Sequence, residues 1–322
     1  MSTYILRRIL LVFPLLLGVT IINYTIFALA PGDPVSAMID PFELSQMTEE
    51  DLQAAREALG LNKPIPIRYL LWLGQAVQGN LGYSIWFNTP VFEVMLRALG
   101  NSMPVMIFAL LISTIAGITL GVVSALKPYS LLDSVLTTFA FAGVAVPGFF
   151  FALLLIYAVA IKMDILPTGG VTTPGVEPSL GNRLSHIILP GLALAYETTG
   201  SLLRYTRSSL LEVLHQDYMT TARAKGLVEQ VVILRHGLRN ALLPIITILG
   251  LRLPSMFGGA VLIETVFNYP GIGLTMVQAT GMRDYPLLMG GVLMTAVLVL
   301  LSNLLADLFY TVADPRIRYE VG

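Results

Sequence analysis

The chain has 322 residues, of which 55% are hydrophobic and only 12% are charged, and its formal net charge is −1. A soluble domain of this length needs far more charge on its surface, so long apolar stretches are interpreted as membrane spans. The lack of cysteine excludes disulfides, thiolate metal sites and cysteine nucleophiles, and the three histidines are too widely spaced to favour a metal cluster. The net charge gives no indication of nucleic-acid binding, and we expect none.

Six segments reach the length of roughly 20 apolar residues that a bilayer span requires. In chain order they are Ile9–Ala30, Asn101–Leu126, Val135–Ile161, His186–Leu203, Ala241–Ile263 and Leu287–Val312. Pro104, Pro147 and Pro254 lie inside three of them and predict kinked helices. The sequence therefore predicts an all-α integral membrane protein with six transmembrane helices.

The first span has an alternative interpretation as a secretory signal peptide. Arg7-Arg8 precede the apolar run, and Ala28-Leu29-Ala30 imitate a cleavage site. The run is longer than the roughly 7–15 apolar residues of a signal peptide, and Pro31 would fit poorly after a cleavage site. We therefore expect residues 1–30 to remain as the first transmembrane helix.

Lysine and arginine fall mainly on one side of the six predicted spans. That side carries Arg7, Arg8, Lys127, Arg204, Arg207, Arg223, Lys225, Arg235, Arg239, Arg316 and Arg318. The short loops of the other side carry only Lys162, Arg183 and Arg283. Basic loops stay in the cytoplasm, so both termini are predicted to be cytoplasmic, with Arg316 and Arg318 anchoring the last span rather than binding solute.

Residues 31–100 then form an external segment, which is predicted to be partly helical. Thr48-Glu49-Glu50-Asp51 has the form of a capping box, and Gly60 is placed to end the helix that follows. A second amphipathic helix is predicted over Ile65–Val77, although Gly74 interrupts its apolar stripe. Two roles remain open for this segment: a small subdomain lying on the membrane, or a docking site for a solute receptor.

The remaining residues, 101–322, are predicted to form a five-helix core with a cytoplasmic loop at about 204–240. This loop contains Asp217-Tyr218-Met219-Thr220-Thr221-Ala222-Arg223-Ala224-Lys225-Gly226. The small side chains of Thr221, Ala222 and Ala224 would let another surface approach the backbone closely. Arg223 and Lys225 would orient that surface, and Gly226 would permit a sharp exit. On these residues alone, an ordinary basic loop is still the better interpretation.

The same stretch, continuing to His236-Gly237-Leu238-Arg239-Asn240-Ala241-Leu242-Leu243-Pro244, resembles the EAA loop of ABC-importer permeases. Within that group it is most similar to the EAA loop of B-type permeases of the dipeptide/oligopeptide family. Other similar stretches follow in the family's order: Gly79–Ser84, Pro147–Phe149, Leu166–Gly170, Arg204–Ser209, Glu264–Phe267, Tyr269–Gly273, Asp284–Pro286 and Asp314–Tyr319. Each stretch alone is only weakly specific, but their shared order and spacing over nearly the whole chain make the resemblance specific.

The resemblance implies one half of a channel, paired with a similar but distinct second permease in a bacterial or archaeal cytoplasmic membrane. Two ATPase subunits would bind the EAA loops, and an external binding protein would deliver the solute. ATP and Mg²⁺ would belong to the ATPases, with no cofactor in this chain. The implied coupling residues are Asp217, Tyr218, Thr221, Ala222, Arg223, Ala224, Lys225 and Gly226.

Other function classes fit less well. The chain has no H-E-x-x-H or G-x-S-x-G motif, and no lysine follows a glycine, which excludes a nucleotide-binding P-loop. An ion-coupled secondary transporter should show matching halves with broken helices, and none are recognisable in the sequence. Among importers, peptides are expected from the family, while nickel chelates and oligosaccharides remain alternatives.

Three residues depart from the family pattern. Pro104 stands where family members usually have another residue, and Glu197 and Arg252 place charges inside spans that are often uncharged. Each lies about 16 Å along its predicted span, near the middle of the hydrocarbon core. A lone charge there costs at least about 2.5–3.5 kcal/mol, so both should turn away from lipid, either towards each other or towards a water-filled cavity. A buried salt bridge is the preferred interpretation. The alternative places them on the translocation path, with Pro147 and Phe149, where opposite charges would suit a zwitterionic peptide.

Overall fold

The computed structural model describes residues 2–29, 46–58, 62–177 and 179–313. Most of these residues are helical. The α-helices are α1 Ser2–Ala28, α2 Glu49–Ala58, α3 Ile65–Val77, α4 Val91–Leu126, α5 Leu131–Ala145, α6 Gly148–Leu155, α7 Leu180–Leu214, α8 Asp217–Ala224, α9 Glu229–Val231, α10 Arg239–Val266, α11 Ile272–Gly281 and α12 Tyr285–Ala313. Two π-helical segments, Ile156–Lys162 and Val232–Leu238, continue α6 and α9. A short antiparallel hairpin pairs β1, Tyr83–Ser84, with β2, Thr89–Pro90.

Among the described residues, four helices are long and apolar enough to cross a membrane, and a bent helix pair is a fifth candidate. The four lie within α1, α4, α10 and α12, and the pair is α5 with α6. An all-α membrane protein is thereby confirmed. The helix at the predicted fourth span, α7, has the length of a span at 35 residues, but charged residues interrupt its apolar stretches.

The predicted third span, Val135–Ile161, is wrong as a single helix. It is divided into α5 and the α6 segment that ends at Lys162, and the two are bent by 111°. The break follows from Pro147, which has no N–H to donate and disfavours helical geometry in the residue before it. Val146 is accordingly extended, with φ −85° and ψ 123°. The sequence predicted a kink here, and the structure has a complete break.

Some helix boundaries differ from the predicted ones, and others confirm them. Helix α4 begins at Val91, ahead of the predicted Asn101, and α11 is a helix that was not predicted from the sequence. The capping box is confirmed, because Thr48 and Asp51 exchange backbone-to-side-chain hydrogen bonds of 2.9 and 3.2 Å. Helix α3 has the predicted bounds. Gly60, Arg316 and Arg318 lie outside the described residues.

The chain forms two compact units, and the first comprises residues 1–100 and 271–300. In this unit the Asn23 amide donates to the Met289 carbonyl at 3.0 Å, which ties α1 to α12. The buried carboxylate of Asp284 accepts from the Ser84 hydroxyl and from the Trp86 backbone N–H at 3.1 Å. These bonds hold the β-hairpin against the start of α12.

The second unit, residues 101–270 and 301–322, is organised around α7. Glycines let neighbouring helices approach its backbone: a Cβ added at Gly117 or Gly121 of α4 would lie 2.5 Å from a Cβ atom of α7. A Cβ at Gly200 would lie 2.7 Å from the Ala140 carbonyl oxygen of α5. Small residues at i and i+4 are typical of close helix packing in membranes. Helix α7 is therefore surrounded by its own chain over much of its surface.

Replacing Gly200 with alanine should destabilise this packing, because the nearest obstacle is a backbone carbonyl that cannot rotate away. Overpacking of this kind costs about 1–3 kcal/mol. Gly258→Ala in helix α10 is the matched control, since among the described residues no atom outside the local helix backbone lies within 4 Å of the added Cβ. Thermal unfolding of the purified protein should show a lowered midpoint for Gly200→Ala alone. Equal midpoints for the two variants would contradict the packing described for α7.

Candidate functional site: a short exposed helix and a mid-helix ion pair

The short helix α8 coincides with the stretch singled out in the sequence. It starts after Gln216, whose backbone is extended, and ends with Lys225 as its C-cap. Gly226 follows with φ +77°, a left-handed conformation that glycine adopts without strain. The predicted sharp exit is confirmed, and the helix has two turns bounded by changes of direction.

One side of α8 is anchored to the rest of the second unit by Met219, which is fully buried. Its side chain packs with Val232 and with the last turn of α7, at Val213 and Leu214. A Cβ at Gly237 would lie 3.3 Å from the methyl group of Met219, so the absence of a side chain there makes room for this anchor. The helix is consequently seated on the end of α7 and on the π-helical segment.

The other side of α8 is open. The predicted coupling residues that are exposed are Asp217, Tyr218, Thr221, Arg223, Ala224, Lys225 and Gly226. Asp217, Thr221 and Ala224 follow at i, i+4 and i+7, so they form one exposed stripe. Ala222 was expected to offer space to another surface, and that expectation is wrong. It is 6% exposed and packs inward beside Met219, because it lies three residues further along the same helical face.

Two polar links fix the orientation of α8. The Asn240 amide donates to the Tyr218 hydroxyl at 3.2 Å. Arg223 donates to Glu229 at 2.9 Å, and this hydrogen bond lowers the pKa of the Glu229 carboxyl. A lowered carboxyl pKa contributes stability that is present at neutral pH and is lost as the pH falls through the folded-state pKa. Both side chains are exposed, so the pair orients the helix more than it stabilises it.

The π-helical segment Val232–Leu238 was not predicted from the sequence. π-helical turns are rare in proteins, and those that occur are often found at functional sites. Here the segment places Val232 and Gly237 against Met219 of α8. The apolar spacing of Met219 and Ala222 was a signal that one face of α8 would be buried, and it could have been detected in the sequence.

Glu197 and Arg252 form the predicted ion pair, with Arg252 Nη1 3.0 Å from Glu197 Oε1. Arg252 Nη2 also donates to the Ser201 hydroxyl at 3.1 Å, one turn further along α7. The pair is not buried in this chain, since the Glu197 side chain is 57% exposed and that of Arg252 is 28% exposed. The predicted pairing is confirmed, but the expectation of a buried salt bridge is wrong for the described part of the chain, where the Glu197 side chain stays more than half exposed.

Pro147 and Phe149 lie at the break between α5 and α6, and both are exposed. Near this break, Phe151 stacks on Tyr196 with ring centroids 3.8 Å apart, and Phe139 meets Tyr196 edge-on at 5.5 Å. Tyr196 directly precedes Glu197 in α7. The broken span and the ion pair are thus attached to neighbouring positions of one helix.

Comparison with known proteins agrees with these features. Residues 117–319 match the family described as "Binding-protein-dependent transport system inner membrane component", and residues 1–106 match the N-terminal region of such membrane components. The oligopeptide transport system permease protein AppB of Bacillus subtilis is 44% identical over 99% of this chain and 100% of its own length. The dipeptide transport system permease protein DppB of Escherichia coli is 35% identical, again over 99% and 100%.

The matched family and the full-length relatives identify a membrane permease subunit of a transport system rather than an ATPase. The chain belongs to the family of binding-protein-dependent transport system inner membrane components. It is accordingly a multi-pass inner-membrane protein.

The ion pair can be measured with a double-mutant cycle of Glu197→Gln and Arg252→Gln. Since Glu197 is more than half exposed, the coupling free energy should be about 0.5–1 kcal/mol rather than several times larger. The double variant should therefore recover part of the thermal stability lost in the single variants. A cycle of Glu197→Gln with Lys225→Gln, a distant exposed cation, should show no coupling. Strict additivity in both cycles would argue against the pair.

Proposed function

We propose that this chain is one of two permease subunits of an ATP-driven importer, and that the solutes are dipeptides or oligopeptides. The observation that supports this most strongly is α8, a short helix fixed to its own chain by Met219 on one side and open on the other. Such a helix is suited to fill a groove on another protein. The peptide class is supported by relatives named as oligopeptide and dipeptide permeases over their full length.

We place six transmembrane helices in the chain, with α7 as the fourth and the bent pair of α5 and α6 as the third. A helix packed among other helices can carry charges that a lipid-facing helix cannot. Fifteen residues of α7 are buried within this chain, including both residues on either side of the Gly200 contact, Thr199 and Ser201. Its polar composition therefore fits a central position in a bundle.

Cysteine labelling can test the proposed orientation without background, because the chain has no cysteine. Gln53 in α2 and Gln216 before α8 are both exposed. A membrane-impermeant thiol reagent added from outside should label Gln53→Cys and leave Gln216→Cys unlabelled until the membrane is permeabilised. Outside labelling of Gln216→Cys, without labelling of Gln53→Cys, would overturn the orientation.

In the proposed mechanism, ATP binding closes two ATPase subunits that hold the α8 helices of the two permeases. The movement passes to α7 and α10 and switches the cavity between inward- and outward-facing states. This is rigid-body transmission through packed helices. ATP and Mg²⁺ belong to the ATPase subunits, and an external binding protein supplies the solute. The external segment is either its docking site or a subdomain resting on the membrane.

Ala224→Trp tests the contact between α8 and an ATPase groove. The residue is on the exposed stripe, so an indole there should overfill the groove and prevent productive docking without disturbing the fold. We expect transport to fall by about tenfold or more, which corresponds to roughly 1.4 kcal/mol. The matched control is Ala54→Trp, the same change at an exposed position of α2. Normal assembly and transport by Ala224→Trp would show that the assignment is wrong.

The translocation path is proposed to include Pro147, Phe149, Glu197 and Arg252. A half-exposed carboxylate at the middle of a membrane helix must face water or another chain rather than lipid, because lipid exposure of a charge costs several kcal/mol. The paired opposite charges suit a zwitterionic peptide. Nickel chelates and oligosaccharides are the alternative solutes, and an uptake assay with each class in the same cells distinguishes them.

A further inference from the structure

One buried carboxylate joins three helices of the second unit. Arg207 donates to Asp133 through two hydrogen bonds of 2.7 Å, from Nε to Oδ1 and from Nη2 to Oδ2. The Ser124 hydroxyl donates to Oδ1, and the Tyr129 backbone N–H donates to Oδ2 at 2.8 Å. We call Asp133, Arg207 and Ser124 the Asp133 clamp.

The clamp connects the end of α4, the first turn of α5 and the second half of α7. The Asp133 side chain is 4% exposed and that of Arg207 is 21% exposed. Two-point pairing with a guanidinium fixes the distance and also the angle between the two helices. A buried ion pair adds little net stability compared with apolar packing of the same volume. The ion pair therefore matters for the relative positions of the helices that it fixes rather than for the free energy that it contributes.

The clamp lies close to the seat of α8. Two turns after Arg207, Val213 and Leu214 end α7 and pack on Met219 of α8. Between them, Leu210 packs with Ala125 of α4 and Ala241 of α10. A displacement of α8 therefore acts directly on the segment of α7 that carries Arg207.

From Asp133, helix α5 leads to the broken span. The helix follows α7 through the contact of Gly200 with Ala140 and the ring contact between Phe139 and Tyr196. It ends at the break before Pro147. The clamp is thus the polar connection between the helix that carries α8 and the helix that ends at the break.

We propose that the Asp133 clamp makes α4, α5 and α7 move as one body with α8, so that movement imposed on α8 reaches the break at Pro147. Asp133 and Arg207 are positioning residues in this role and do not contact solute. The inference rests on the proposed coupling to ATPase subunits. The inference also assigns a role to the Arg204–Ser209 stretch, which belongs neither to the proposed coupling contact nor to the proposed translocation path.

The direct test measures a distance inside the proposed rigid body, in the complete importer in lipid. Spin labels are attached at Thr220→Cys in α8 and at Leu131→Cys at the start of α5, which is 82% exposed. The label distance should be the same without nucleotide and with ATP trapped. In the Asp133→Asn/Arg207→Gln double variant it should differ between the two states. A nucleotide-dependent distance in the otherwise unchanged chain would overturn the proposal.

A second readout is the number of ATP molecules hydrolysed per solute transported, which a merely stabilising pair would leave unchanged. The double variant should raise this ratio on the order of fivefold or more. The matched control is Glu93→Gln/Arg97→Gln, which removes an exposed pair 3.7 Å apart in α4 and should change nothing. A normal ratio in the clamp variant, together with a constant label distance, would contradict the proposal.

Ser124→Ala covers the case in which the double variant fails to assemble. This change keeps the ion pair and removes one donor to Asp133, so an intermediate rise in the ratio is expected, and a normal ratio would count against the clamp. Failure of the proposed function is distinguishable from failure of the clamp. If no ATPase subunits bind the unchanged chain, the proposed function is wrong. If they bind and the label distance still changes, only the clamp is wrong.

Discussion

The structure of the second unit depends on enclosing one polar helix in protein. Helix α7 carries Glu197, Arg204 and Arg207 within 35 residues, and each charge would be costly against lipid. Glycines on α4 and on α7 itself bring the neighbouring backbones close enough to enclose it. The charges are then met by particular partners, Asp133 for Arg207 and Arg252 for Glu197. The arrangement of α4, α5 and α10 around α7 follows from this requirement.

Enclosure is incomplete at Glu197, in the middle of the helix. Arg252 is satisfied by Glu197 and Ser201, yet more than half of the Glu197 side chain remains open. The aromatic side chains of Phe139 and Phe151 flank Tyr196 next to it. This open carboxylate beside an aromatic cluster is the basis of the translocation path proposed above.

The sequence predicted features that depend on local chemistry. The capping residues Thr48 and Asp51, the helix Ile65–Val77 and the left-handed Gly226 are all set by neighbouring residues. The pairing of Glu197 with Arg252 was also predictable, because the cost of a lone charge in a membrane leaves few arrangements. Helix α11 was missed since its glycines oppose helix formation, and packing of Ile272, Leu274 and Ala279 overrides that preference.

The parts of the site that were missed depend on contacts distant in sequence. The spacing of Met219 and Ala222 places both on one helical face, but the surface that covers this face comes from the chain after the turn at Gly226, so the inward orientation of Ala222 was not predicted. The same holds for the two-point pairing of Asp133 with Arg207, which lie 74 residues apart. The proline at position 147 predicted a bend, but its size depends on how α5 and α6 pack against α7. Local signals located the break and could not determine its angle.

The break before Pro147 also bears on how the subunit can exist in a membrane. Helix α5 has 15 residues and so extends about 22 Å, short of a hydrocarbon core about 30 Å thick. At such an interruption the terminal carbonyl and N–H groups lose helical partners, and acyl chains offer none in return. Protein or enclosed water must cover this point in the mature assembly.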